Sequence, residues 1–126
     1  MSSENKGVTQ IDKDELKNIL SASDSNKIVI DVREPEEYND AHIPGVPLIP
    51  MQTIPDLLEG FDKEKEYVFV CRSGNRSQNV SLFMKQQGYE KVENYDGGML
   101  VWDGETKQGM EKHIQNASDL KTLKNS

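Results

Sequence analysis

Tyr67-Val68-Phe69-Val70-Cys71-Arg72-Ser73-Gly74-Asn75-Arg76-Ser77 passes directly from an apolar run into a polar turn that contains a glycine. The first four residues are aromatic or β-branched and read as a short buried strand. From Ser77 to Gln87 the apolar positions Val80, Leu82, Phe83 and Met84 predict a helix, stopped by Gly88. A strand ending in cysteine, then a glycine turn, then a helix would aim backbone N–H groups and a helix N-terminus at one sulfur. Such surroundings favour the anionic, nucleophilic form of Cys71. Burial statistics alone favour a small buried hydrophobe. Against that, Arg72, Ser73, Gly74, Asn75, Arg76 and Ser77 make a poor core and a good cradle for an anion.

Outward from this stretch, strands and helices alternate. Lys27-Ile28-Val29-Ile30-Asp31-Val32 predicts a second buried strand that ends in a carboxylate, and Val92 to Tyr95 a third. Ile11, Leu16, Ile19 and Leu20 stand at helical spacing around Asp12 and Glu15, which form a capping-box pattern, so a helix is expected over 12–21. Pro35 opens a second helix toward His42, and residues 53–60 form a third, short and ended by Gly60. Pro44, Pro47 and Pro50 confine residues 43–50 to a loop or short edge strand. Ser21 to Asn26 reads as a turn, as does Asp96-Gly97-Gly98, and Met99 to Trp102 begin a last helix or turn. The alternation predicts an α/β domain with a largely parallel sheet over residues 10–105. Residues 1–9 read as a loose, polar start. Residues 106–126 read as a polar tail or weak helix, with scattered Met110, Ile114, Leu120 and Leu123. In parallel sheets sites lie beyond the carboxyl ends of the strands. Asp31 and Cys71 both fall there.

Composition narrows the function. The 126 residues have room for one core. A net charge of −7 argues against nucleic acid or an anionic membrane as partner, because both attract basic surfaces. No apolar run approaches the ~18 residues of a membrane span, and Met1 to Lys6 lack the apolar stretch of a signal peptide, so a cytosolic (cytoplasmic) monomer is expected. With a single cysteine there is no intramolecular disulfide and no Cys-rich zinc site, and no cofactor is called for. Sulfur chemistry at Cys71 therefore needs a second molecule. Arg72 and Arg76 form a positive spot suited to a small anion; as surface residues they would simply be solvated. Asp31 and Arg33 suit a structural pair, His42 a packed hydrogen-bonded residue, His113 a solvated one and Trp102 the core.

Ile30-Asp31-Val32-Arg33-Glu34, Glu37-Tyr38, His42-Ile43-Pro44-Gly45, the run from Cys71 to Ser77, then Gly97-Gly98 and Trp102 together resemble a single-domain rhodanese. The resemblance spans residues 10–105. It implies a central, mainly parallel five-stranded sheet with helices on both faces. It also implies a thiosulfate-type sulfurtransferase that carries sulfur as a persulfide on Cys71, binds a small anionic donor at Arg72 to Ser77, and hands sulfur to a thiol, cyanide or a protein acceptor. Asp31, Arg33 and His42 fall in structural positions near the site. Many relatives have Ala-x-Asn where this chain has Val46-Pro47-Leu48, so a shorter edge strand is expected there.

Readings from other classes stay open. Cys-dependent phosphatases and arsenate reductases share this fold, but their loop clamps an oxyanion with an arginine after five intervening residues. Here Arg76 follows after four and Ser77 holds the clamp position. A docking or sulfur-relay module without small-molecule turnover is a further alternative, since fold does not prove function.

Overall fold

The computed structural model describes residues 3–22, 26–121 and 123. Met1 and Ser2 of the expected loose start, residues 23–25 of the expected turn, and 122 and 124–126 of the expected tail lie outside the described residues. The strands are β1 (Ser3–Asn5), β2 (Val8–Ile11), β3 (Lys27–Asp31), β4 (Glu66–Val70) and β5 (Val92–Tyr95). They form one sheet in the order β1-β2-β5-β4-β3, in which only the β1/β2 pairing is antiparallel. The helices are α1 (Lys13–Ser21), α2 (Pro35–Asp40), α3 (Asn75–Gln86), α4 (Gly98–Val101) and α5 (Ala117–Lys121), with a 3₁₀ segment at Met51–Gly60.

Strand side chains alternate between the two faces with period 2, and each face builds its own core. Ile28, Ile30, Tyr67, Phe69 and Val92 join Val80 and Met84 of α3, Ile54 and Leu57 of the 3₁₀ segment, and Leu120 of α5. Val29, Val68 and Val70 face the other way and join Leu16 of α1, Ile43, Val46 and half-buried Met99 and Trp102. The sheet is thus covered on both sides, which is why β3 and β4 read as unbroken apolar runs. Asp12 caps α1 as expected: its carboxylate accepts from the Glu15 N–H at 2.9 Å, and the Glu15 carboxylate accepts from the Asp12 N–H at 3.1 Å.

Two expectations need correction. Residues 1–9 read as loose, but 3–5 and 8–11 form a hairpin that turns at Lys6 and Gly7, both with positive φ. β2 inserts beside β5 and buries Val8 completely. A polar strand is tolerated here because Gln10, although buried, finds hydrogen-bond partners on β2, α3 and β5. The second correction concerns the tail. Residues 106–121 run back across the molecule: Lys107 bridges His42, His113 bridges Leu48, and Ile114 and Leu120 enter the α3-side core. Trp102 packs against the core as expected, half-buried and edge-on to Tyr95, with its indole N–H donating to the Glu105 carbonyl. The proline-rich stretch behaves as expected of a shortened edge strand. Within it only Leu48 pairs, bridging Asp31 on one side and His113 on the other.

Candidate active site

Cys71 directly follows β4, and Asp31 ends the neighbouring β3 in register with Val70. The expected carboxylate and thiol therefore share one sheet edge. Asp31 is committed elsewhere, to Arg33, whose Nε reaches both carboxylate oxygens at 3.0 and 3.1 Å and whose Nη2 reaches one at 2.8 Å. Both residues are buried. Arg33 Nη2 also donates to the Ala41 carbonyl at 2.7 Å. The pair thereby ties the end of β3 to the turn before His42.

His42 is buried, stacked on Tyr38 with ring centroids 3.8 Å apart. Its Nδ1 lies 3.1 Å from the Tyr38 carbonyl and its Nε2 2.9 Å from the Glu111 carboxylate. The same Glu111 oxygen accepts from the Gly45 N–H at 3.0 Å. These two contacts hold the Glu111 carboxyl below its usual range, the His42 bond foremost. His42 is therefore a packed residue that anchors the C-terminal segment.

The loop after β4 closes on the sulfur. The Gly74 N–H donates to Sγ at 3.1 Å and the Ser77 hydroxyl at 3.2 Å. Gly74 has φ +92, and a Cβ there would sit 2.3 Å from the Asp96 carbonyl oxygen, so only glycine can direct its N–H at the sulfur from this position. The helix, expected from Ser77, begins two residues earlier. Gly74 is the N-cap of α3, and Ser77 sits inside its first turn, completely buried, its hydroxyl facing Cys71. Cys71 itself is 0% exposed. The loop's back is held by α4: the Met99 N–H donates to the Cys71 carbonyl at 2.9 Å and the Leu100 N–H to the Arg72 carbonyl at 3.0 Å. Gly98 makes this possible, because a Cβ at its φ of +66 would lie 2.2 Å from the Arg72 carbonyl oxygen.

The remaining loop residues divide. Arg72, Ser73 and Asn75 are exposed. Arg76 is part-buried and forms a two-pronged pair with Glu37 of α2, at 2.7 and 2.9 Å. Arg76 holds the Glu37 carboxyl down at about 2, and Glu37 in turn pushes the Arg76 guanidinium further up. Of the two arginines read as an anion site, then, Arg76 is already neutralised, and Arg72 has no ion-pair partner among the described residues.

Sequence reasoning missed Glu37 in this role, together with a polar network beneath the loop. The Asn94 Nδ2 on β5 donates to Gln10 Oε1 at 2.8 Å and reaches the Gly74 carbonyl at 3.2 Å and Gln78 Oε1 at 3.3 Å. Asn94 is buried two residues after Val92, which lies in the apolar α3-side core. A short polar amide between Glu93 and Tyr95 on a predicted strand, just before a glycine turn, was the available signal.

The profile of the Rhodanese-like domain family matches residues 12–105. The chain belongs to this family. Among rhodanese-like relatives, the putative sulfurtransferase YtwF of Bacillus subtilis is 47% identical over 100 residues, covering 74% of this chain and 96% of that protein. The thiosulfate:glutathione sulfurtransferase of Saccharomyces cerevisiae is 31% identical over 116 residues, covering 79% of this chain and 84% of its own. A solved rhodanese-like domain protein from Staphylococcus aureus superposes with a TM-score of 0.70 at 39% identity, covering 79% of this chain and 96% of that one. The rhodanese-like match ends at residue 105, so the segment packed through Ile114 and Leu120 lies beyond it.

Proposed function

We propose that this rhodanese-like domain is a sulfurtransferase that moves sulfane sulfur from thiosulfate or a similar donor to a thiophilic acceptor through a persulfide on Cys71. The observation that carries this reading is the paired donation of the Gly74 N–H and the Ser77 hydroxyl to Sγ. Fixed donors aimed at one sulfur stabilise negative charge there without reorganisation, whether the charge is a thiolate or a persulfide. In the first half-reaction the thiolate attacks the outer sulfur of thiosulfate. The new S–S bond forms as the old one breaks, and sulfite leaves with the electron pair. Arg72, exposed and without a carboxylate partner among the described residues, is suited to hold the donor's oxygens. In the second half-reaction a thiolate or cyanide takes the outer sulfur and Sγ recovers its electrons. Because Cys71 is 0% exposed, both reactants need its neighbours to move aside by at least a rotamer change. The name of the yeast relative, thiosulfate:glutathione sulfurtransferase, agrees with an anionic donor and a thiol acceptor.

The test is intact mass after incubation with thiosulfate, followed by cyanide and an assay for thiocyanate. Wild type is expected to gain one sulfur and to release it to cyanide, and Cys71→Ser to do neither. An unchanged wild-type mass with several sulfur donors would sink the reading.

A further inference from the structure

The residue that aims a hydrogen at the sulfur is also the one most free to lose its aim. Gly74 donates its N–H to Cys71 Sγ at 3.1 Å from a φ of +92, and a Cβ there would meet the Asp96 carbonyl oxygen at 2.3 Å, so no bulkier residue can stand in its place. Glycine accepts a wide range of backbone angles, so something outside it must select this one. Its carbonyl is held twice. The Gln78 N–H donates to it at 3.1 Å in the first turn of α3, and the Asn94 Nδ2 reaches it from β5 at 3.2 Å. Asn94 is 2% exposed, and its Nδ2 faces two further oxygens, Gln10 Oε1 at 2.8 Å and Gln78 Oε1 at 3.3 Å. A reversed amide would set an oxygen against three acceptors, so the donor end is fixed on this cluster. That orientation leaves Asn94 Oδ1 buried with no donor among the described residues. A buried acceptor left unpaired is destabilising, and one kept in a native fold calls for an explanation.

Gln10 and Gln78 carry the restraint outward. The Gln10 Nε2 donates to Gln78 Oε1 at 2.6 Å and to the Val8 carbonyl at 3.1 Å, and the Gln78 Nε2 donates to the Asn5 carbonyl at 3.1 Å. The β1/β2 hairpin thus grips the Gln78 side chain at both its oxygen and its nitrogen. Gln78 directly follows Ser77, whose hydroxyl is the second donor to Sγ, so one network restrains the backbone beside both donors. The family match begins at residue 12, and Asn5, Val8 and Gln10 belong to the segment before it. We propose that Asn94 is a positioning residue for Cys71: by holding the Gly74 carbonyl it keeps the Gly74 N–H on the sulfur, and Gln10 of the hairpin holds Asn94 in turn. This rests on Cys71 being the reacting sulfur. The orphaned Oδ1 then has its reason, since position 94 needs a donor with two hydrogens facing the loop more than it needs both ends of the amide paired.

The experiment follows the pH dependence of Cys71 alkylation by iodoacetamide on the full chain, counted by intact mass because Cys71 is the only cysteine, together with the rate of sulfur loading from thiosulfate at neutral pH. A donor that has lost its aim leaves the thiolate less stabilised. Asn94→Ala is therefore expected to move the alkylation midpoint up by about one pH unit, the size of one hydrogen bond to an anion, and to slow loading about tenfold. Gln10→Ala, which leaves Asn94 in place, is expected to move the midpoint the same way by about 0.5 pH unit. Val29→Ala, in the core on the opposite face of the sheet, is the comparison, expected to lower the urea midpoint without moving the alkylation midpoint. All three substituted side chains are uncharged and the Glu37–Arg76 pair is unaltered, so a shift reads the donors rather than a new charge. An alkylation midpoint in Asn94→Ala within about 0.2 pH unit of wild type would overturn the proposal. So would an equal rise in Val29→Ala, which would assign the shift to lost stability. Should Asn94→Ala not fold, Gln10→Ala decides by the same two criteria. Failure of wild type to take sulfur from thiosulfate would fall on the sulfurtransferase reading instead, since the alkylation midpoint needs no sulfur transfer.

Discussion

The hydroxyl of Ser77 brings α3 into direct hydrogen-bond contact with Cys71. A buried serine in the first turn of a helix commonly satisfies backbone groups nearby; here the hydroxyl lies 3.2 Å from Sγ. Hydrogen bonds to charged groups contribute roughly 1.5–3 kcal/mol. Ser77→Ala is therefore expected to slow single-turnover persulfide formation about tenfold or more while leaving the urea midpoint nearly unchanged, since the methyl group fits the same space. A rate within twofold of wild type, read by quenched-flow mass spectrometry, would remove Ser77 from the chemistry. At this scale the turn was legible as a Gly/Ser/Arg stretch after an apolar run, whereas the sequence left open the burial of Cys71, which is complete and places the sulfur in the α3-side core. The role of Ser77 was not legible. Capping and sulfur donation use the same residue type, and the two separate only once Gly74 is seen to be the N-cap, which places Ser77 inside the helix.

Between elements, the Glu37–Arg76 pair joins α2 to the first turn of α3, directly after the Cys71 loop. Glu37 titrates at about 2 in the folded protein against an ordinary value of 4.5. Its folded pKa is depressed, so the stabilisation is fully present above about 4.5 and is lost as pH falls through about 2. Glu37→Gln is expected to cost about 1 kcal/mol at pH 7, in keeping with a well-aligned but partly solvated pair. The gap between variant and wild type should narrow as pH falls from 4.5 toward 2. Chemical denaturation at neutral pH and at a pH between those two values checks this, and a gap that stays constant would contradict it. Arg76 could be read from sequence as a charge near the cysteine, but its partner lies 39 residues earlier, and nothing local announces the pairing. The strands β3 and β4 and the capped α1 were legible for the opposite reason: apolar runs and the Asp12/Glu15 cap are local signals. β2 has no such signal, since Thr9 and Gln10 interrupt its apolar residues and its burial depends on β5.

For the molecule as a whole, the segment beyond the family match is structural. It completes the edge at Leu48, gives His42 its Glu111 partner and inserts Ile114 and Leu120 into the α3-side core. Gly60 packs so closely on it that a Cβ would lie 2.6 Å from the Ala117 carbonyl oxygen. Leu120→Ala is expected to destabilise the domain by about 2–4 kcal/mol, seen as a lower urea midpoint with an unchanged slope. A loss under about 0.5 kcal/mol would mean that the segment merely rests on the surface. Two apolar residues in a polar stretch carry little signal by themselves, because their burial is decided by the partners they meet across the fold rather than by any periodicity of their own.

The sheet order also governs when the fold can close. β2 lies beside β5, so Gln10 meets Asn94 across 84 residues of chain, and the hydrogen bonds beneath the reactive loop join segments from nearly opposite ends of the sheet-forming region. During synthesis the β1/β2 hairpin must carry an unpaired edge until β5 has left the ribosome, the costly long-range pairing of a high-contact-order sheet. The polar network beneath the Cys71 loop is thus completed only after β5 is made, whereas the two donors to the sulfur itself, Gly74 and Ser77, lie within six residues of it.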